Sequence, residues 1–264
     1  MDSLTQTILL GIIQGITEWL PISSTGHLRL TEYFLGLDIP ILVDVILHIG
    51  TLVVVFIYFR KDIKNIAHAL VHLDFKTEEG KLIPLIAIGT VPTAAIGVVF
   101  GDQIELTFKT PITIAAMLTI TGALLYFSSK TREKTEIITP FTALLFGVAQ
   151  GIAIIPGISR SGATIAVALM LGVKREKAFK FSFLLSIPAI IGALGLTIYK
   201  QHAKLAASGM EWTEIAVGAV VAMAVGYLAL KLLWKILQRG KFHLFAFYCW
   251  ILAIFLAVLI FGGF

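Results

Sequence analysis

Two short polar segments interrupt otherwise apolar stretches of this 264-residue chain. The first of them lies between positions 14 and 27 and includes one carboxylate, one amide, three consecutive hydroxyls and one imidazole, on Gln14, Glu18, Ser23, Ser24, Thr25 and His27. Gln14 and Glu18 are four residues apart and therefore share one helix face. Pro21 ends that helix and frees backbone N–H groups in the following turn, where they can bind an anion. Because an ionised carboxylate is costly in hydrocarbon, Glu18 predicts a cationic partner or a metal ion nearby.

The second polar segment, residues 156–164, supplies a matching positive charge at Arg160. A guanidinium can bind phosphate or carboxylate through two parallel hydrogen bonds. Hydroxyls and glycines surround it, so a bulky oxyanion could approach closely; the hydroxyls are on Ser159, Ser161 and Thr164. The alternative is that Glu18 and Arg160 form an ion pair that only joins the two segments.

The composition places these segments in a membrane. Apolar residues make up 58% of the chain, charged residues 14%, and the mean hydropathy is +0.93, which excludes a soluble enzyme, a disordered chain and a nucleic-acid-binding domain. We therefore predict an all-α integral membrane protein, surrounded by lipid and without a nucleic-acid partner. No Walker loop, dinucleotide fingerprint or zinc-ligand spacing occurs, and the single cysteine excludes an internal disulfide.

Six stretches are long and apolar enough to cross a bilayer, at about 41–59, 82–100, 111–127, 181–199, 214–234 and 242–264. The two polar segments lie in further apolar regions, 4–36 and 141–172, that Pro, Gly and Ser interrupt. Irregular backbone at membrane depth is tolerated where protein buries it. We predict that these regions are re-entrant helical hairpins.

The cations support this arrangement. If both hairpins are re-entrant, the connections 60–81, 128–140, 173–180 and 231–241 lie on one face and carry sixteen Lys and Arg residues, whereas the other face has Arg29, Lys109, Lys200 and Lys204. The cation-rich face is expected to be cytoplasmic. Both termini are then external in a multi-pass plasma-membrane protein, the first hairpin enters from outside, and the second enters from the cytoplasm.

The hairpins also repeat each other at a shift of 136 residues, which aligns Gly11, Gln14, Gly15, Ile16, Ile22, Ser23 and Gly26 with Gly147, Gln150, Gly151, Ile152, Ile158, Ser159 and Gly162. One membrane domain, 1–264, then comprises two repeats, 1–136 and 137–264, each with a hairpin and three spans. Three spans reverse the direction of the chain, so the repeat is inverted. Such repeats bring broken helices together near the midplane, and we expect the two polar tips to meet there.

These motifs resemble those of a known family. Gln14-x-x-x-Glu18, the Pro-Ile-Ser-Ser-Thr-Gly-His run from Pro21 and the Pro-Gly-Ile-Ser-Arg-Ser-Gly-Ala-Thr run from Pro156 are similar to the undecaprenyl-diphosphate phosphatase family of the bacitracin-resistance type (BacA/UppP). The resemblance covers nearly the whole chain. Many members have Glu where this chain has Gln14, and many have Arg directly after a Tyr where it has Tyr248-Cys249.

The resemblance implies a hydrolase that converts a polyprenyl diphosphate to the monophosphate and free phosphate at the external side, recycling the lipid carrier used for cell-envelope glycan such as peptidoglycan. It implies a divalent cation, Mg or Ca, and a site of Glu18, Ser24, His27, Arg160, Ser161 and Thr164. The chemistry of the two tips adds Gln14, Ser23, Thr25 and Ser159 as substrate contacts, with Glu18 as the metal ligand. The expected partners are the isoprenoid lipid diphosphate and membrane lipids, and a homodimer is an open alternative.

Several alternatives remain at this level. Ser24 with His27 as its base is the preferred attacking group, because the two are three residues apart, but His27 or water could attack instead. Asp44 and His48, four apart on the first span, either support the site or only pack between helices. A different class of function, a transporter or flippase of lipid phosphate or small anions, would use the same inverted repeat.

Overall fold

The computed structural model describes residues 2–37, 41–108, 110–205 and 211–262. Within these ranges the chain forms eleven helices: α1 Ser3–Trp19, α2 Ser24–Leu35, α3 Ile41–Tyr58, α4 Arg60–Val71, α5 Leu82–Thr107, α6 Pro111–Ser128, α7 Pro140–Ile152, α8 Arg160–Met170, α9 Arg175–Leu205, α10 Trp212–Gln238 and α11 Leu244–Phe261. The only β-type pairing in the described ranges is one isolated bridge between Thr135 and Val173. The predicted all-α class is confirmed.

Six of these helices, α3, α5, α6, α9, α10 and α11, are long and apolar enough to span a membrane. Many of their large apolar side chains are exposed, such as Val91 on α5 and Ile251 on α11, which is the surface that lipid tails cover. The chain is therefore a multi-pass membrane protein, and its six spans are the predicted ones. Lys109, one of the cations assigned to the external face, lies outside the described residues.

The element boundaries differ from the prediction at two charged places. The connection 60–81 was expected to be a loop, but it begins with α4, whose apolar residues Ile63, Ile66 and Ala69 recur every three positions and whose remaining positions are mostly polar. α9 begins at Arg175, inside the predicted connection 173–180. Long Lys and Arg side chains can extend their charged ends into water while the backbone that carries them is helical. A charged stretch therefore need not end a helix.

Each predicted hairpin is a pair of short helices separated by a turn. α1 and α2 are separated by residues 20–23, and α7 and α8 by residues 153–159. α7 has 13 residues and α8 has 11, fewer than a bilayer crossing requires. This geometry is compatible with re-entrant hairpins, which stay a prediction, as does the division of the chain after residue 136.

Glycines let the hairpin helices pack closely on the opposite half of the chain. α1 packs along α10, and α7 packs along α5. A Cβ added to Gly11 would lie 2.5 Å from the carbonyl oxygen of Gly218, and one added to Gly147 would lie 2.0 Å from that of Gly89. Gly11 and Gly147 are aligned by the 136-residue shift, so each repeat uses the same small residue for the same close approach.

Candidate active site

The two polar tips meet in the interior of the helix bundle. The backbone N–H of Gly157 donates a hydrogen bond of 3.0 Å to Ser23 Oγ, and Ser161 Oγ donates one of 3.0 Å to the carbonyl oxygen of Trp19. Ser23, Ser161 and Trp19 are all buried. The expected meeting of the two tips is therefore observed, through contacts that join α1 and its turn to the start of α8.

Local capping explains why both second helices start where they do. Ser23 Oγ accepts from the N–H of Gly26 at the start of α2, and Ser159 Oγ accepts from the N–H of Gly162 at the start of α8. These serines and glycines are equivalent in the repeat. The two caps differ in backbone conformation, because Ser23 has φ +72° and Ser159 has φ −81°. Positive φ is unfavourable for a residue with a Cβ, so the first tip stores strain that the second does not.

Glu18 is the centre of a buried hydrogen-bonded cluster. Its Oε1 accepts from Nη2 of Arg160 in an ion pair. Its Oε2 accepts from Ser24 Oγ at 2.6 Å and from Gln14 Nε2 at 3.1 Å. His48 Nε2 lies 3.8 Å from the same oxygen. The cluster therefore brings together four of the predicted site residues with one of the two supporting candidates from the first span.

Arg160 is more accessible than its partner. Its side chain is 17% exposed, against 5% for that of Glu18, and its guanidinium lies 5.3 Å from the centre of the Trp19 ring. Stacking on an aromatic face orients the planar group without occupying its N–H donors. Because a guanidinium has five such donors, Arg160 can bind an anion while it remains paired with Glu18.

His27 is directed away from Ser24. Its Nδ1 lies 2.8 Å from the carbonyl oxygen of Ser23, and its Nε2 lies 2.8 Å from the hydroxyl of Tyr248. Ser24 donates to Glu18 instead. The sequence spacing predicted a contact between Ser24 and His27, but the bond of His27 to the carbonyl four residues earlier turns its ring toward α11. In this conformation the carboxylate of Glu18, and not the imidazole, is placed to accept the proton of Ser24.

The remaining predicted contacts are more peripheral. Thr164 Oγ1 bonds to the carbonyl oxygen of Arg160 and to Ser182 Oγ, at 2.8 and 2.6 Å, and is fully enclosed. Ser159 Oγ lies 3.3 Å from Ser161 Oγ. Thr25 is exposed. The roles of these residues in substrate binding stay predictions.

Three contributors were not identified from the sequence. Tyr248 contacts His27, Ser182 contacts Thr164, and Thr121 both donates to the carbonyl oxygen of Gly157 and accepts from the N–H of Ser159. All three lie within apolar spans, where a single hydroxyl is a common packing feature. The only signal available was the presence of a hydroxyl in a span, and that signal does not distinguish these residues from other serines and threonines.

The second half of the chain has no equivalent of this cluster. The 136-residue shift aligns Glu18 with Ile154 and His27 with Ala163. Gln150, the counterpart of Gln14, donates to Thr93 Oγ1 and to the carbonyl oxygen of Leu185. The sequence repeat therefore preserves packing residues, whereas the acid–base groups Glu18 and His27 occur only in the first of the two tips.

The cluster around Glu18 offers few ligands to a divalent cation. No group of three or more His, Cys, Asp or Glu side chains suited to a metal occurs in the described part of the chain. Gln14 Oε1 is buried without a hydrogen-bond partner there, beside the carboxylate of Glu18. Because Mg²⁺ is often held by one or two carboxylates with water and substrate phosphates, these two residues fit a cation that takes most of its ligands from the substrate.

An apolar cavity opens beside the first tip. It has a volume of about 470 Å³ and lies between α1, the following turn and α11, lined by Ile13, Ile16, Thr17, Leu20, Ile22, His27, Leu244, Phe245 and Tyr248. His27 and Tyr248 are the polar rings in this lining. The cavity can thus hold an apolar group next to the polar tip.

Comparison with known proteins gives a consistent result. Residues 7–255 match the family described as "Bacitracin resistance protein BacA". A protein of Halothermothrix orenii named undecaprenyl-diphosphatase is 43% identical over 258 residues, covering 96% of this chain and 97% of that protein. Proteins with the same name from Carboxydothermus hydrogenoformans and Methanosphaera stadtmanae are 44% and 40% identical, covering 96% and 98% of this chain and 96% and 99% of their own lengths. The chain therefore belongs to the bacitracin resistance protein family, BacA.

Proposed function

We propose that the protein is a membrane hydrolase that converts a polyprenyl diphosphate of the undecaprenyl type to the monophosphate and inorganic phosphate. The observation that carries this proposal is the partly buried cluster of Glu18, Ser24 and Arg160 at the meeting point of the two tips. The cluster combines an anion-binding group with a hydroxyl that already donates to a carboxylate. The names of the relatives support this substrate and reaction.

Arg160 is proposed to bind the diphosphate. Phosphoryl transfer depends mainly on positioning and on stabilisation of charge at the phosphate oxygens. A partly exposed guanidinium at the first position of α8 meets both needs, because the N-terminus of the helix also favours an anion. Ser159, Ser161 and Thr164 surround this end of α8 and would shape the same pocket.

Ser24 is proposed to attack the terminal phosphorus. In the first step Oγ forms a bond to phosphorus, its proton passes to Glu18, and the bond from phosphorus to the bridging oxygen breaks, which releases the lipid monophosphate. Water then attacks the phosphoserine: its oxygen bonds to phosphorus, the bond from phosphorus to Oγ breaks, Oγ takes back the proton from Glu18, and inorganic phosphate leaves. The hydrogen bond of 2.6 Å from Ser24 Oγ to Glu18 Oε2 supports this direction of proton transfer. His27 is proposed to activate the water of the second step.

A divalent cation, Mg or Ca, is proposed as cofactor, held by Glu18 with Gln14 as a neutral ligand. When bound, it would neutralise charge on the two phosphates. Glu18 would then exchange part of its contact with Arg160 for the cation, and Arg160 would bind phosphate oxygens. We expect Gln14→Glu to lower the cation concentration needed for half-maximal release of phosphate, since a second carboxylate strengthens binding of a hard cation. An unchanged cation requirement would contradict this assignment.

The apolar cavity supports a lipid substrate. Its lining is almost entirely apolar and reaches His27, so the first isoprene units could lie there with the diphosphate at the tip. We further propose the plasma membrane as location, with both termini external and the site opening to the external face, where it would recycle the lipid carrier for envelope glycan. Whether the protein is a homodimer, the alternative left open by the sequence, is tested separately by light scattering of the purified protein in detergent.

The test is phosphate release from a C55 or shorter prenyl diphosphate by purified protein in detergent, with added Mg²⁺ and with a chelator. We expect release by the wild type that the chelator suppresses, and loss of at least a hundredfold in Glu18→Gln, Ser24→Ala and Arg160→Ala. Glu136→Gln is the matched control, because it removes a carboxylate that pairs with Lys174 at the surface. Tight binding of the diphosphate without release by the wild type would refute the proposal and favour a transporter.

A further inference from the structure

His27 has a hydrogen-bond partner from the second half of the chain, Tyr248 on α11. Its Nε2 lies 2.8 Å from the hydroxyl of Tyr248, and the two rings are nearly parallel, with centres 5.8 Å apart and planes inclined by 16°. The hydroxyl of Tyr248 thus reaches the nitrogen, while its ring lies nearly parallel to the imidazole and is offset from it. Both side chains line the apolar cavity.

The hydrogen bonds define which nitrogen of His27 carries a proton. A carbonyl oxygen can only accept, so the contact of 2.8 Å to the oxygen of Ser23 requires a proton on Nδ1. In the neutral ring Nε2 then has the lone pair, and the hydroxyl of Tyr248 donates to it. If Nε2 gains a proton, the same hydroxyl can accept, because a phenol is both donor and acceptor. Tyr248 can therefore hold the ring before and after proton transfer.

The two residues that follow Tyr248 fix its position. Cys249 Sγ donates to the carbonyl oxygen of Pro21 at 3.8 Å, and Trp250 Nε1 donates to that of Thr119 at 3.1 Å. Cys249 is fully buried. α11 is therefore held against the turn of the first hairpin by Cys249 and against α6 by Trp250. These contacts fix the position of Tyr248 beside His27.

We propose that Tyr248 is a positioning residue that holds the imidazole of His27, with Nε2 at the wall of the cavity, in the orientation needed for its proton transfer. This inference rests on the proposed function and adds to it a residue from the last helix. Tyr248 acts only through His27, and this dependence separates it from a residue that merely packs.

The test is a double-mutant cycle on full-length protein in detergent, measured as kcat and KM for phosphate release from farnesyl diphosphate with Mg²⁺. Tyr248→Phe keeps the ring and removes the hydroxyl. We expect it to lower kcat about tenfold and to leave KM within about twofold, the size expected for one orienting hydrogen bond. Combined with His27→Ala, the same change should alter kcat by less than about twofold, since the group that it orients is gone.

Tyr126→Phe is the control, because it removes a phenolic hydroxyl from α6, where the ring of Tyr126 contacts Phe127, Phe247 and Trp250. It should leave kcat unchanged in both backgrounds. Equal losses from Tyr248→Phe with and without His27 would overturn the inference, as would a wild-type rate in Tyr248→Phe alone. Failure of the proposed function is distinguishable, because wild-type protein would then release no phosphate at all.

Discussion

The hydroxyl of Ser23 joins the two hairpins, and its removal should destabilise the protein more than removal of its repeat equivalent. Ser23 Oγ accepts from Gly157 N–H at 3.0 Å and from Gly26 N–H at 3.3 Å. Loss of the helix cap to Gly26 costs about 1 kcal/mol. Leaving the buried Gly157 N–H without an acceptor costs about 1–3 kcal/mol. We therefore expect Ser23→Ala to lower the free energy of unfolding by roughly 2–4 kcal/mol.

A glycine at position 23 separates the effect of the lost hydroxyl from the effect of the backbone conformation. Ser23→Gly loses the same hydrogen bonds but removes the Cβ that disfavours φ +72°. Removal of the Cβ raises the free energy of unfolding by roughly 1–2 kcal/mol. The greater flexibility of glycine in the unfolded chain lowers it by about 0.4–1 kcal/mol. We expect the glycine variant to be more stable than the alanine variant by roughly 1 kcal/mol. Ser159→Ala removes a cap at φ −81° and a contact to Ser161 within the same tip, but no bond between the hairpins. It should cost about 1 kcal/mol, and Ser159→Gly should offer no such relief.

The assay is reversible unfolding in mixed SDS and detergent micelles, followed by circular dichroism and tryptophan fluorescence. If Ser23→Ala costs no more than Ser159→Ala, the bond between the hairpins does not contribute as argued. If Ser23→Gly is less stable than Ser23→Ala, the positive φ is not a source of strain in solution.

Two further predictions concern close packing and charge. Gly11→Ala should lower the free energy of unfolding by about 1–3 kcal/mol, because the new Cβ would lie 2.5 Å from the oxygen of Gly218; Gly192→Ala, whose Cβ would meet nothing within 4 Å, should be neutral or slightly stabilising in the same assay. Arg160→Lys keeps a charge beside Glu18 but loses the planar fork, so phosphate release should fall at least tenfold while the fold survives. A rate within twofold of wild type would show that charge alone is sufficient.

The spans were predictable because each one carries its own signal. A stretch such as Ile41–Tyr58 is predominantly apolar, and no knowledge of its neighbours is needed to recognise it. The sequence signals that predicted interrupted helices near Pro21 and Pro156 were equally local. α4 was missed because its charges suggested a loop, although the spacing of its apolar residues favours a helix.

The site was only partly predictable, since its members depend on tertiary contacts. Glu18 required a cation, and Arg160 is the cation of the second polar segment, so their pairing followed from charge. The hydrogen-bond partner of Ser24 could not be predicted in this way, because the spacing allows a contact with His27 but does not determine where the imidazole turns. Tyr248 lies 221 positions from His27, and nothing in the intervening sequence indicates that the two meet.

The packing of α1 on α10 also constrains how the protein can be made. α1 leaves the ribosome long before α10, which begins only at Trp212. Until then the glycine face of α1 has no helix to cover it, and the first hairpin must wait in the translocon or among lipids while most of the chain is synthesised. Assembly of the first tip thus follows synthesis of most of the chain, and a chain truncated before α10 should release no phosphate even though it contains every residue of the Glu18 cluster.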